Sequence, residues 1–184
     1  MAAFVGALLV QASDRTPLTI AALADRFERR GEVITALSIV LVAGNVLATV
    51  GAAFVAPLLT PNARALFFAF ALLSVGGTAL LPPRMPMVVK QGAAGAFFTT
   101  LGAMLAVGLG DRTQFLTAAL ALRAPVPAFA AIGAVLGALA VNVAAASLGA
   151  RVLTRLPVRL VRLLIALLLL GAGAVAGLSA LRLL

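Results

Sequence analysis

The chain has 184 residues, of which 64% are hydrophobic and only 10% charged, with a net charge of +9. An average globular chain is roughly a quarter charged, and a soluble domain of this size keeps too much surface in water to hide so many apolar side chains. A lipid bilayer is the solvent that fits. The basic excess does not read as a nucleic-acid footprint, because the arginines fall mostly in short gaps between apolar runs. With no Cys and no His, disulfides, thiolate metal sites and imidazole proton shuttles are excluded. Any chemistry rests on carboxylates, amides, hydroxyls and Arg, and no bound cofactor is expected.

A membrane helix needs about 20 mostly apolar residues. Six stretches qualify, so the expected fold is an all-α membrane protein with six transmembrane helices in a single transmembrane domain over 1–184. The first, 3–24, has no basic lead and is interrupted by Asp14 and Arg15, so it reads as a retained span rather than a signal peptide. A charged gap ending in Gly31 separates it from 33–55. Thr60-Pro61-Asn62 is a turn before 63–81, and Pro82-Pro83-Arg84 stops that third helix. The fourth stretch, 93–122, is long enough to require a tilt or a kink. Ala124-Pro125-Val126-Pro127 separates the fourth stretch from the fifth, 126–148, and Pro157 precedes 160–181. Arg26, Arg29, Arg30, Arg84, Lys90, Arg151, Arg155, Arg159 and Arg162 lie in the odd gaps, whereas Arg64, Arg123 and Arg182 lie in the even gaps and tail. The positive-inside rule therefore puts the odd gaps, including a short linker at 84–92, in the cytoplasm. Both termini are then periplasmic, in a bacterial inner membrane. The Arg155–Arg162 cluster reads first as snorkelling and orientation, and second as an anionic-lipid site.

Shifting the sequence by 97 residues aligns two halves, about 1–83 and 93–184, without a gap. Asp14-Arg15-Thr16 falls on Asp111-Arg112-Thr113, Arg26 on Arg123 and Asn45 on Asn142. Three spans in each half make the second half enter the membrane from the opposite side. The expected architecture is thus two inverted-topology three-helix repeats, the plan of many secondary transporters.

Asp14 and Asp111 lie well inside the first and fourth stretches, where an ionised residue costs roughly 2.5–3.5 kcal/mol on insertion scales. One reading is purely structural: Asp14 pairs with Arg112 and Asp111 with Arg15, locking the halves together. The other is that both carboxylates line one cation pathway, with Arg15 and Arg112 as movable counter-charges. Gln11 lies one helical turn before Asp14, and Gly108 holds the same place before Asp111. Thr16 and Thr113 lie about 200° around an ideal helix from their aspartates and join the site only if the helix is distorted. Gln114 follows the second motif where Pro17 follows the first, and Pro17 can break its span beside the site. Asn45 and Asn142 are either interhelical hydrogen-bonding groups or pathway oxygens. Gly133 with Gly137 and Gly173 with Gly177 permit close helix packing, but a dimer is not predicted from them.

The chain resembles the small six-helix transporters of the Golgi calcium/manganese type, whose relatives include bacterial manganese exporters. That family carries two copies of Glu-x-Gly-Asp-(Lys/Arg)-(Thr/Ser), in the first and fourth spans. Here the copies read Gln11-Ala12-Ser13-Asp14-Arg15-Thr16 and Gly108-Leu109-Gly110-Asp111-Arg112-Thr113. The resemblance covers essentially the whole chain and implies proton-coupled export of Mn²⁺ or Ca²⁺, with the motif acids as ligands and proton carriers. Both family glutamates are replaced, by Gln11 and Gly108, and the first motif glycine by Ser13. Two Asp beside two Arg sum to zero formal charge, so divalent cations should bind more weakly than in a site with four acids. Oxygens from Gln11, Ser13, Thr16, Thr113, Gln114, the two Asn, backbone carbonyls and water can complete the six or more that these ions prefer.

The leading expectation is a secondary transporter of divalent cations working by alternating access, with the bilayer, the cation and protons as its partners. The alternatives are a non-transporting regulatory or partner subunit, and a transporter of a monovalent or anionic solute. An intramembrane enzyme is the poorest fit, since the motif threonines have no evident base except Asp.

Overall fold

The structure, a computed structural model, describes residues 1–81, 95–108, 110–155 and 157–183. The Pro82-Pro83-Arg84 stop, Arg84, Lys90 and the 84–92 linker, together with the first residues of the fourth predicted stretch, lie outside the described residues. Among these, the chain forms α1 (Ala2–Ala12), α2 (Thr16–Phe27), α3 (Arg30–Val55), α4 (Pro61–Leu80), α5 (Gly95–Gly108), α6 (Arg112–Ala121), α7 (Ala128–Leu148), α8 (Ala150–Arg155) and α9 (Val158–Ala180), with a 3₁₀ turn at Ala56–Leu58 and no strand. The protein is an all-helical, multi-pass membrane protein. Helices α3, α4, α7 and α9 are each long and apolar enough to cross a bilayer. Large side chains such as Phe54, Phe70, Phe129 and Leu167 point outward and are exposed, an arrangement that water penalises and lipid does not.

The first and fourth predicted stretches differ from expectation. Each is two helices: 3–24 becomes α1 and α2, and 93–122 becomes α5 and α6. The reason is local. Pro17 has no N–H to give, so it sits in the first turn of α2 rather than inside a helix running on from α1. In the second half the break runs through Gly110, at φ 78°, and Asp111, whose extended backbone makes it the N-cap of α6. A short helix, α8, occupies the predicted fifth gap. It follows Gly149, and the Asp25 carboxylate accepts the N–H of its first residue, Ala150, at 2.7 Å.

Packing follows the exchange of the two halves. Both pieces of the first broken helix, α1 and α2, lie along α7, and both pieces of the second, α5 and α6, lie along α3. Helices α4 and α9 pack on one another. Glycines set the closest approaches: Gly137 lies directly against the Phe4 carbonyl, Gly133 against the Phe4 amide, and Gly173 and Gly76 hold α9 and α4 together. The glycine pairs singled out in the sequence thus serve contacts within the chain.

Two apolar clusters lie on either side of the breaks, one built on Ile20, Leu37 and Met104, the other on Val10, Leu116 and Ile165. A β-carbon at Gly137 has no room beside the Phe4 carbonyl, whereas one at Gly171 meets nothing. Gly137→Ala is therefore expected to lose about 1–3 kcal/mol through overpacking, and Gly171→Ala to be neutral. Thermal unfolding of the detergent-solubilised protein checks the pair.

Candidate ion-pathway site

The two breaks meet. Asp14 sits in the turn between α1 and α2, where its carboxylate takes a hydrogen bond from its own Thr16 hydroxyl at 2.8 Å and an ion pair from Arg112 Nη2 at 2.8 Å. The ideal-helix objection to Thr16 vanishes because no helix runs through the motif. Asp111, the N-cap of α6, accepts the Arg112 N–H at 2.6 Å through Oδ1. Its Oδ2 faces Gln11 Nε2 at 3.4 Å, and the same amide donates to Thr113 Oγ1 at 3.1 Å. Gln11 is fully buried, so the first half reaches into the second motif through Gln11 while the second half reaches into the first through Arg112.

The two expected ion pairs are not equivalent. Asp14–Arg112 forms, and its carboxylate is 8% exposed against 28% for the Arg side chain. Asp111–Arg15 is not among the ion pairs found in the described residues, whereas a surface pair, Arg29–Glu32, is.

The polar backbone freed at each break is answered by a different side chain. Ser13 turns its hydroxyl back to the Val10 carbonyl at 2.8 Å, closing the end of α1. Gln114 bridges the other break, donating to the Gly108 carbonyl and accepting the Gly110 N–H at 3.0 Å. Gly44 of α3 lies directly against that amide, and no larger residue would leave it room. The substitution of the family's motif glycine also has a local cause. Ser13 has φ −93°, open to any residue, whereas Gly110 at φ 78° is in the left-handed region that favours glycine.

Asn45 and Asn142 each donate to the carbonyl four residues back, at 2.8 Å. Asn45 Oδ1 accepts from Thr117 Oγ1 at 2.8 Å, joining α3 to α6, and Thr117 shares its proton with the Thr113 carbonyl at 2.7 Å. Asn142 Nδ2 faces Gln11 Oε1 at 3.4 Å, and its own oxygen is buried without a partner.

Two cavities flank this network. A small one, about 20 Å³, lies between α1, α2, α3, α5 and α6 and is lined by Gln11, Thr16, Asn45, Asp111, Thr113 and Gln114 on its polar side. It has room for one water molecule or one dehydrated ion. Asp14 instead lies on the wall of a larger, mainly apolar cleft of about 400 Å³ between α1, α2, α7 and α9. The structure therefore brings ten of the eleven predicted residues into one connected region: Ser13 serves the backbone there, Arg15 stands apart from the ion pair, and the rest line a cavity or bond to a residue that does. Among the described residues no three acidic, His or Cys side chains cluster as a metal cage.

Residues the sequence did not single out complete the region. Thr117 and Gly44 lacked any signal beyond helical spacing from Thr113 and Asn45. Arg162, read within a surface cluster, is buried, and its Nη2 donates to the Ala79 and Leu81 carbonyls at the end of α4.

A pair of broken helices that oppose their charged turns inside an apolar bundle is an arrangement many secondary transporters share. Comparison with known proteins places it more closely. Residues 96–183 match the family described as divalent cation/proton antiporter GDT1. A protein of Vibrio cholerae serotype O1 named "Putative manganese exporter" is 28% identical over 155 residues, covering 84% of this chain and 78% of its own. Over residues 96–183 the chain is similar to the divalent cation/proton antiporter family. No solved structure matches it.

Two outcomes follow from this geometry. Arg112→Gln strands the Asp14 carboxylate and is expected to cost on the order of 1–3 kcal/mol, while Arg15→Gln, which breaks no ion pair, changes stability by less than about 0.5 kcal/mol. Gly110→Ala forces a β-carbon into the left-handed region at about 1–2 kcal/mol, a penalty Ser13→Ala does not share. Both comparisons are read by thermal denaturation in one detergent.

Proposed function

We propose that this protein is a secondary transporter that exports divalent cations, Mn²⁺ foremost and Ca²⁺ by the same chemistry, in exchange for protons. The observation that carries the reading is the cross-connection of the two motifs. Asp14 of the first break is held by Arg112 of the second, and Asp111 of the second by Gln11 of the first. The comparisons support the same reading: the family is described as a divalent cation/proton antiporter, and the Vibrio cholerae relative as a manganese exporter.

The bilayer argument makes each broken pair a fifth and sixth span. Eleven residues of α1 and twelve of α2 give about 16 and 18 Å of helix at 1.5 Å per residue. Strung along α7, they bridge a hydrocarbon core of about 30 Å with the break near its middle. The packing exchange between halves supports two inverted repeats, about 1–83 and 93–184. The arginine distribution supports a bacterial inner membrane with both termini periplasmic.

In this reading the cavity at Asp111 is the ion seat. Oxygens of Asp111, Thr16, Gln11, Asn45 and Thr113 surround a volume the size of one ion, and the C-terminal end of α5 adds carbonyls. One carboxylate among neutral oxygens binds a divalent ion loosely enough to release it. Arg112 acts as the resident counter-charge on Asp14: a cation arriving at that carboxylate displaces it, and a proton on Asp14 also releases it. Asp14 and Asp111 face different cavities, so one is reached from the cleft while the other is enclosed, as alternating access requires.

The test is Mn²⁺ uptake into everted vesicles under an imposed proton gradient. Wild-type protein accumulates Mn²⁺, and collapsing the gradient stops it. Asp14→Asn and Asp111→Asn each lower the rate at least about tenfold, the scale of ligand-sphere losses at metal sites. Unchanged uptake in the double variant would overturn the mechanism.

A further inference from the structure

Of the four methionines in the sequence, Met1 lies on the surface, while Met104 is fully buried in α5, one turn before the break. Its side chain lines the same small cavity as Asp111, Thr113, Gln114 and Asn45. The residue 97 positions earlier, in the matching place of α1, is Ala7. Sulfur is therefore offered at the Asp111 break and not at the Asp14 break.

The bland account is packing. Methionine fills irregular gaps, and Met104 does touch the apolar cluster of Leu37, Val40 and Leu41. Those same three residues form the apolar wall of the cavity, however, and Met104 is the single wall residue among them that also carries a metal-ligating atom. A thioether is soft. It gives nothing to Ca²⁺, which takes oxygen ligands in sets of six to eight, and increasingly more to softer divalent ions.

We infer that Met104 is a specificity-determining ligand, whose thioether completes the seat at Asp111 and favours transition-metal divalent cations over Ca²⁺. This rests on the reading that the cavity at Asp111 is the ion seat. In a seat with one carboxylate and otherwise neutral oxygens, a single sulfur alters the ranking of ions, because no surplus of charge overrides it. The missing oxygen is one that Ca²⁺ needs and that a softer, six-coordinate ion replaces with sulfur.

The experiment compares gradient-driven transport of Mn²⁺, Ca²⁺ and Cd²⁺ by wild-type protein, Met104→Leu and Met104→Gln in proteoliposomes. Leucine keeps the volume and the packing and removes the sulfur; glutamine puts an oxygen in its place. Wild-type protein ranks Cd²⁺ and Mn²⁺ above Ca²⁺. In Met104→Leu apparent affinity falls about tenfold for Cd²⁺ and about threefold for Mn²⁺ while Ca²⁺ is unchanged, following ligand softness. In Met104→Gln the Ca²⁺:Cd²⁺ preference shifts toward Ca²⁺. Equal losses for all three ions, or unchanged ratios in both variants, would show a packing role and overturn the inference while leaving the transport reading intact. A wild-type protein that moves none of the three overturns both.

Discussion

A helix interrupted inside an apolar bundle strands amide and carbonyl groups where water cannot reach them, and every other feature of this molecule answers that constraint. The first break is closed from within by Ser13 and by the turn's own N–H groups. The second borrows Gln114, which fits only because Gly44 on α3 has no side chain. Each aspartate takes one partner from its own turn, Thr16 for Asp14 and the Arg112 N–H for Asp111, and one from the other half: Arg112 for Asp14, Gln11 for Asp111. Polar backbone at this depth is tolerated where protein surrounds it or a cavity adjoins it, and here both conditions hold. The site is a consequence of the breaks, and the breaks are a consequence of Pro17 and Gly110.

Much of the fold was legible in the sequence for one reason: apolar runs of bilayer length separated by Pro, Gly and Arg leave few alternatives. The four unbroken long helices fall within two or three residues of the expected runs. The breaks were not read as such, because a two- or three-residue turn barely alters the hydropathy of a long run. Pro17 marks a place where the first span can break, whereas the length of 93–122 asks only for a tilt or a kink. The candidate site was legible because polar residues are scarce here, so Asp14, Asp111, Gln11 and the two Asn stood out. Thr117, Gly44 and Met104 did not, since nothing in an apolar helix distinguishes a residue that touches a polar neighbour from one that touches lipid. That distinction is tertiary.

The two halves share a plan and differ in detail, and the differences fall where function would use them. One break carries a serine where the other needs a left-handed glycine. One aspartate is held in an ion pair while the other is held by an amide. One faces a broad apolar cleft, the other a chamber the size of a single ion. Perfect symmetry would give each aspartate the same partners and the same cavity; here neither is shared.

Arg162 carries a consequence for how the chain is made. Its guanidinium is buried near the start of α9 and bonds to the last carbonyls of α4, the third-span helix of the first half. Until α9 has been synthesised, that end of α4 has no such partner, and until α4 is in place Arg162 lacks these two carbonyls. The two helices are separated by most of the second half of the chain, so a later span delivers the side chain that finishes an earlier one. Insertion is then a process that closes on itself: a helix made after α5, α6 and α7 is the one that seals the first half.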